Sequence, residues 1–421
     1  MNRSTQRYDV VIIGGGPTGA TAAAILAMNG RRVAVIEKEH FPRYHVGESL
    51  VPYCYFTLNR IGMVEKLRKT HFTKKYSVQF ASTRGNISQP FYFGEHLDHA
   101  AAQTWQVRRS EFDKMLLDNA REKGADVFEG WRVREALEND GAITGIIAQD
   151  ENDDRNEFIA PVTIDASGRN SFFVNRNGWR VMDDQLKKVS IWTYYKGAKR
   201  DAGIDEGATT VAYIPEKGWF WYIPLADDVV SVGVVAEKSY LYRETRDPQE
   251  IFLREIQNNR WIADHLAPGT QFGEFWVTGD YSYRSRYCAA DGVVLAGDAF
   301  AFLDPVFSTG VLLALVGGEL AADAVEIALH QNNFRASQFL EYSDAVRYNL
   351  EAMRKLVYAF YNDAFNFRSF FEKYPQLRSD VTDILIGKTD RSYDELFNAM
   401  REFAELPADL PHGKPLIAET V

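Results

Sequence analysis

The stretch that decides the fold is Asp9-Val-Val-Ile-Ile-Gly14-Gly15-Gly16-Pro17-Thr18-Gly19. Its first half is an apolar, β-branched run, as in a strand covered on both faces of a parallel sheet. Its second half spaces glycines as GxGxxG. In that pattern Gly14 permits a tight turn, Gly16 lets the main chain approach a pyrophosphate, and Gly19 allows close packing of helix on strand. Pro17 and Thr18 lead into an alanine-rich helix running to Met28, whose first N–H groups can bind phosphate. A second strand, Arg32 to Ile36, ends at Glu37-Lys38. Glu37 follows Gly14 by 23 residues (37 − 14), where an acceptor for ribose hydroxyls is expected, roughly 20 residues on. Lys38 beside it joins the candidate cofactor contacts.

A second turn lies far downstream: Val293-Val-Leu-Ala-Gly297-Asp298-Ala299, continuing to Asp304-Pro305. A strand ending in Gly-Asp at that distance implies a chain that leaves the nucleotide-binding sheet and returns to it. FAD, longer than NAD, is held at both ends in this way. The expected fold is therefore α/β: a glutathione-reductase-type FAD-binding Rossmann fold with an antiparallel β substrate domain and a helical C-terminal region. Asp298 could accept hydrogen bonds from ribityl or ribose hydroxyls, or cap a helix. The segment Ser308-Thr309-Gly310-Val311 opens a helix, so its N–H groups form an anion site. Such a site suits chloride or the negative charge of a reduced isoalloxazine, and these residues do not choose between them.

Composition bounds the alternatives. The 421 residues suffice for two or more domains or one interleaved fold. A net charge of −10 argues against a nucleic-acid surface. Two cysteines, Cys54 and Cys288, provide neither a disulfide framework nor a metal cluster. No secretory signal and no uninterrupted apolar span of ~20 residues is visible, so a cytoplasmic location without an integral membrane segment is expected.

Along the chain, residues 1–80, 100–185 and 280–330 are assigned to a discontinuous FAD-binding domain. Residues 81–99 and 186–279 are assigned to the substrate domain, on the period-two runs Trp192-Thr-Tyr-Tyr-Lys and Val229-Val-Ser-Val-Gly-Val-Val. Residues 331–421 are read as helical, with an aromatic stripe that includes Tyr358, Phe360, Phe365, Phe367 and Phe371. That stripe reads as core packing with some side chains lining an apolar cavity. Ser110 is expected to cap the helix that follows Arg109, with Asp113 completing a capping box. The last dozen residues read as a loose tail.

Three segments carry a family resemblance. Phe41-Pro42-Arg43-Tyr44-His45-Val46-Gly47-Glu48-Ser49-Leu50-Val51-Pro52 resembles the segment after the second strand of flavin-dependent halogenases. Trp219-Phe220-Trp221-Tyr222-Ile223-Pro224 matches that family's WxWxIP motif, and residues 297–311 resemble its second flavin segment. The resemblance implies FAD contacts at Arg43, Ser49, Asp298, Pro305, Gly310 and Val311, and a phosphate-region contact at Arg109. Two tryptophans at i and i+2 on a strand face one side, so Trp219 and Trp221 could wall a flavin or substrate chamber, or bury area against helices.

The same resemblance implies a chemistry in which reduced FAD, oxygen and halide yield hypohalous acid that is relayed to a lysine beside an aromatic substrate. A buried amine suits that role. His71-Phe72-Thr73-Lys74-Lys75-Tyr76-Ser77-Val78-Gln79-Phe80 resembles the family's lysine segment, FxxKxGAxF, through Phe72, Lys75 and Phe80. It departs from it at Ser77, Val78 and the duplicated charge of Lys74; the alternative reading is a solvated basic pair. Lys75, Trp219 and Trp221 are thus the candidate catalytic residues, and no metal is implied. The expected substrate is a small aromatic or apolar molecule, such as a free phenol or an aryl group tethered to a carrier protein, with a separate flavin reductase as partner. Two alternatives remain open at this stage: a reductase resembling geranylgeranyl reductases, and an NAD(P)H-driven aromatic monooxygenase. A non-enzymatic flavin scaffold is a remote third, since phosphate, ribose and ring contacts are all provided.

Overall fold

A computed structural model describes residues 4–279 and 281–417. A six-stranded sheet runs in the order Ala289–Ala290, Val293–Leu295, Val162–Asp165, Val10–Ile13, Val33–Glu37, Asp126–Glu129, parallel except for the first strand. Val10 to Ile13 are all buried, as their unbroken apolar run requires of a central strand. The expected return is present: Val293–Leu295 pairs with Val162–Asp165, which pairs in turn with Val10–Ile13. The helix Pro17–Met28 packs on the long helix Gly310–Gln331, so both turns that frame the nucleotide site open helices on one side of the sheet.

A seven-stranded sheet forms the second half, in the order Thr270–Gly279, Lys188–Lys196, Val229–Glu237, Trp219–Pro224, Thr209–Tyr213, Ser77–Ala81, Phe91–Tyr92. It is antiparallel except where Ser77–Ala81 joins Thr209–Tyr213 in parallel. This excursion begins at Ser77, ahead of the expected boundary after residue 80, because Ser77 and Val78 already pair with Tyr92 and Phe91. Period-two alternation sorts the strand 219–224: Trp219, Trp221 and Ile223 enter the core shared with the nucleotide-binding half, while Phe220 and Tyr222 enter a second core under the helices Pro248–Ile256 and Arg260–Leu266.

Two local expectations are corrected. The helix Arg109–Glu122 has Arg108 at its N-cap, and Ser110 caps nothing; Asp113 is drawn inward by Arg109 instead. The terminal segment is not a loose tail as far as residue 417. Cys288 N–H donates to Lys414 O, Gly413 N–H to Arg286 O and Leu416 N–H to Ala289 O, which straps it to the strand before the second turn. The remaining residues of that expected tail, 418–421, lie outside the described residues.

Candidate functional site

The nucleotide groove is built from backbone that tolerates no side chains. Gly14 sits at φ +101°, and a Cβ there would lie 2.4 Å from Ala166 O. A Cβ on Gly19 would lie 1.9 Å from Gly14 O, so helix and strand close on each other as the motif predicts. At Gly16 a Cβ would meet only the Arg43 Nη2 atom, 3.3 Å away; the space over this glycine is what a pyrophosphate needs. Glu37 is buried at the strand end and accepts from Gly15 N–H at 2.7 Å, which ties the acid to the glycine turn. Lys38 beside it is half-buried near Glu39.

From the other side, Gly297 (φ +57°) would place a Cβ 2.1 Å from Thr18 Oγ1. Asp298 follows within a short 3-10 turn and caps no α-helix; Thr309 stands at the N-cap of the long helix. No hydrogen bond of the Asp298 carboxylate is found among the described residues, and desolvation pushes it up to about 6 against the attraction of Arg109 and Arg169. An open acceptor at this position fits a flavin's hydroxyls. Pro305 begins a 3-10 turn held by Asp304, whose Oδ1 accepts from Val306 N–H at 3.1 Å. Ser308 follows at φ +56°, then Gly310 and Val311 open a 22-residue helix with nothing within 4 Å of a Cβ on Gly310. This helix N-terminus is unobstructed at Gly310, as an anion site there would require. The residues present fit FAD along the whole groove.

Three assigned cofactor contacts have protein partners as well. Arg109 forms a bidentate pair with buried Asp113 (2.7 and 3.0 Å) and donates to Val46 O at 2.8 Å. The i,i+4 spacing of Arg109 and Asp113 on one helix brings the pair together, and Arg109 braces the 46–49 segment. Arg43 reaches the same Asp113 at 3.3 Å while stacking on Phe41. Ser49, assigned to the flavin, is buried with its hydroxyl facing Lys75 and Thr209, each at 2.8 Å.

Lys75 lies on a short strand, Thr73–Lys75, paired antiparallel with Thr104–Gln106. Alternation points Lys74 to solvent and Lys75 inward. Lys75 is fully buried, donates to Leu50 O at 3.0 Å, and stands 5.4 Å from the Phe93 ring centroid. Desolvation lowers its pKa to about 7, with nearby Cys54 acting in the opposite direction. Lys75 is among the residues lining a cavity of about 720 Å³, within the range of small-molecule sites. Its floor holds Lys75, Thr209 and the Val306–Ser308 turn; its walls are Phe91, Phe93, Tyr213, Phe360 and Phe365; its mouth carries exposed Arg368 and Arg378. The expected aromatic stripe therefore divides, with Phe370 in the core and Phe360, Phe365, Phe367 and Phe371 on the cavity.

Trp219 and Trp221 are absent from that lining. Trp219 Nε1 donates to Tyr361 OH at 2.8 Å, and Tyr361 donates to buried Asp304 at 3.0 Å. Trp221 Nε1 donates to Ser231 Oγ at 3.1 Å, beside buried Glu48, which also accepts from Tyr194 OH at 2.8 Å. The two indoles thus hold the turn and the segment that present Asp304 and Ser49, from below the site. Thr209, Gln106, Tyr361 and Tyr194 escape sequence reading, because each acts through a partner more than 50 residues away on another element.

A nucleotide groove closed by a second Gly-Asp turn, joined through Val306–Ser308 to an amine-bearing apolar cavity, defines an FAD-dependent oxidoreductase. The tryptophan halogenase family pattern matches residues 9–103 and 94–376. The chain is 31% identical, over 97% of its length and 96% of the relative's, to a 1H-pyrrole-2-carbonyl-[peptidyl-carrier protein] chlorinase of Pseudomonas fluorescens. It is 32% identical to the corresponding brominase of Pseudoalteromonas luteoviolacea, over 90% of this chain and 92% of that one. Among solved structures, the flavin-dependent brominase Bmp2 superimposes with a TM-score of 0.86 at 29% identity, covering 94% of this chain and 99% of that one. The chain belongs to the tryptophan halogenase family of flavin-dependent halogenases, enzymes that use FAD with a halide as co-substrate. Among the described residues no helix is long and apolar enough to cross a membrane.

Proposed function

We propose that this enzyme halogenates an electron-rich ring, pyrrolic or phenolic, delivered on a carrier-protein arm, with Lys75 as the residue that hands the halogen over. The observation carrying this reading is the burial of Lys75 on the floor of an apolar cavity that also holds the Val306–Ser308 turn. FAD, when bound in its reduced form, supplies the oxidation of halide by oxygen. A neutral amine is a competent acceptor: its lone pair bonds the halogen of hypohalous acid, the oxygen–halogen bond breaks, and the released hydroxide leaves with an amine proton as water. The ring carbon then takes the halogen from nitrogen, and the ring loses a proton as the amine regains one.

Two features support a tethered substrate. The cavity greatly exceeds one aromatic ring, and its mouth carries Lys217, Arg368 and Arg378 beside Glu95 and the Arg368 partner Glu372, on a chain of net charge −10. A locally cationic entrance suits the phosphate of a carrier arm. The relatives acting on pyrrolyl-carrier substrates support the same reading. Buried free thiols at Cys54 and Cys288 fit a reducing cytoplasm, where a separate flavin reductase would supply reduced FAD.

The test supplies reduced FAD, oxygen and bromide or chloride with phenols and pyrroles, both free and as carrier-bound thioesters, and reads halogen incorporation by mass spectrometry. Halogenated product from the carrier-bound ring is expected. Turnover driven by NADPH alone, with no dependence on halide, would reject the reading.

A further inference from the structure

Around Lys75 the hydrogen bonds have a direction that can be worked out from donor counts. Gln106, Thr209, Ser49 and Lys75 are all buried. Gln106 Nε2 lies 2.9 Å from Gly207 O and 2.8 Å from Thr209 Oγ1. A carbonyl oxygen only accepts, so the amide must present nitrogen on this side. The other end of the amide confirms what this orientation sacrifices: Gln106 Oε1 is buried without a hydrogen-bond partner. Both amide hydrogens are therefore committed, one to Gly207 and one to Thr209.

Of the possible hydroxyl orientations, one leaves no hydroxyl hydrogen unused. In it Thr209 Oγ1 accepts from Gln106, and its single hydrogen points to Ser49 Oγ, 2.8 Å away. Ser49 Oγ, accepting from Thr209, has its own hydrogen left, and its other partner is Lys75 Nζ at 2.8 Å. The amine then donates to Leu50 O at 3.0 Å. We propose that Gln106 and Thr209 are positioning residues for Lys75, orienting the Ser49 hydroxyl so that it donates to the amine lone pair. An ammonium has no lone pair. It would donate to Ser49, and then either the Ser49 hydrogen or, if Ser49 donates back to Thr209, the Thr209 hydrogen is left without an acceptor in a dry interior.

The surrounding charges do not oppose this polarity. Cys54, on the helix Cys54–Arg60, is buried, and desolvation pushes its thiol up to about 12, which keeps it neutral. Asp205, on the loop beside Thr209, is occupied by Ser77 Oγ and Tyr92 OH. Lys74 points outward from the same strand, and the remaining ionisable cavity residues, Glu95, His96, Lys217, Arg368 and Arg378, belong to its outer lining. A lone pair covered by one hydroxyl is released by rotating that hydroxyl, whereas an ammonium would first have to lose a proton. The catalytic meaning of the relay rests on the proposed role of Lys75; the direction of the hydrogen bonds does not.

The experiment titrates the amine directly. The FAD-loaded enzyme is pulsed with acetic anhydride across a pH series, and acetylation of Lys75 is followed by peptide mass spectrometry. In the wild-type enzyme the labelling midpoint is expected near neutrality. Ser49→Ala is expected to raise it by about one unit, the worth of one hydrogen bond. Gln106→Met, which touches nothing on Lys75, is expected to raise it comparably by releasing the Thr209 hydroxyl to turn its hydrogen away from Ser49, while Thr209→Ser leaves it in place. Flavin content and circular dichroism identify folded variants, and either of the first two suffices. A lower midpoint in Ser49→Ala, or no change in folded Gln106→Met, overturns the proposal. If these shifts occur while Lys75→Ala still halogenates fully, the relay stands and the assigned role of Lys75 falls.

Discussion

Gly297 rests against Thr18: a Cβ on the glycine would lie 2.1 Å from the threonine hydroxyl. The two turns that frame the flavin, remote in sequence, therefore touch through the absence of a side chain. Gly318 repeats the device one helix away, where a Cβ would lie 2.3 Å from Thr18 O. Gly297→Ala also forces a side chain onto a left-handed backbone. It is expected to cost about 2–4 kcal/mol of stability and to release FAD, measured by thermal melting and flavin absorbance. Full flavin occupancy at an unchanged melting temperature would contradict it.

Gly16→Ala separates binding from folding. Its φ is an ordinary −69°, and the one atom near a Cβ is the end of the flexible Arg43 side chain. Folding stability should change by less than about 0.5 kcal/mol, while flavin affinity falls at least about tenfold as the added methyl occupies pyrophosphate space. Fluorescence titration with FAD reads the effect.

Lys75 has a pH signature of its own. On the proposed role, in which the neutral amine accepts the halogen, halogenation should rise with pH through about 7. Stability follows the same sign: between about pH 7 and 10.4 the unfolded lysine holds a proton that the folded one lacks, so wild-type stability rises with pH by about 1.4 kcal/mol per unit. Lys75→Met should remove that contribution, gain stability near pH 7, and lower turnover by about a hundredfold or more. Urea melts at several pH values, beside rate measurements, check all three outcomes.

Trp219 and Tyr361 form a coupled pair above Asp304. Tyr361→Phe strips a buried indole N–H of its acceptor and Asp304 of a donor, for about 1–3 kcal/mol. Adding Trp219→Phe should cost less than the sum of the two single changes, as measured by a double-mutant cycle. Strict additivity would show the pair to be independent.

Charge reversal at the mouth tests tethering. Arg378→Glu is expected to raise KM for a carrier-bound substrate by about tenfold, more at low salt than at high, and to leave a free aromatic almost unaffected. Equal effects on both substrates would place the recognition elsewhere.

Local patterns in this chain were legible because their physics is local. Gly14 and Gly19 announce a turn and a close packing from adjacent residues alone, whereas Lys75 is set ahead of Lys74 by the resemblance of its segment, and the strand alternation that buries it is seen only in the structure. The tryptophans were legible as a shared face but not as supports, since Tyr361 and Ser231 are supplied by other elements. Ser49 and Arg109 carry family motifs whose expected partner is the flavin, yet Asp113, one helical turn away, engages Arg109, and Lys75 engages Ser49. Gln106 and Thr209 stand in no motif. Their significance exists only where three strands and a loop converge, and a one-dimensional pattern does not contain that convergence.

The cavity has walls of two origins. The 306–308 turn follows the second Gly-Asp turn and Lys75 lies on the short strand Thr73–Lys75, whereas Phe360, Phe367 and Phe371 come from the helices Leu340–Tyr361 and Phe367–Lys373 and Phe365 from the turn between them. Part of the aromatic wall is thus carried by one end of the polypeptide, so it can be remodelled there while Lys75, the 306–308 turn and the remaining wall residues Phe91, Phe93 and Tyr213 stay as they are.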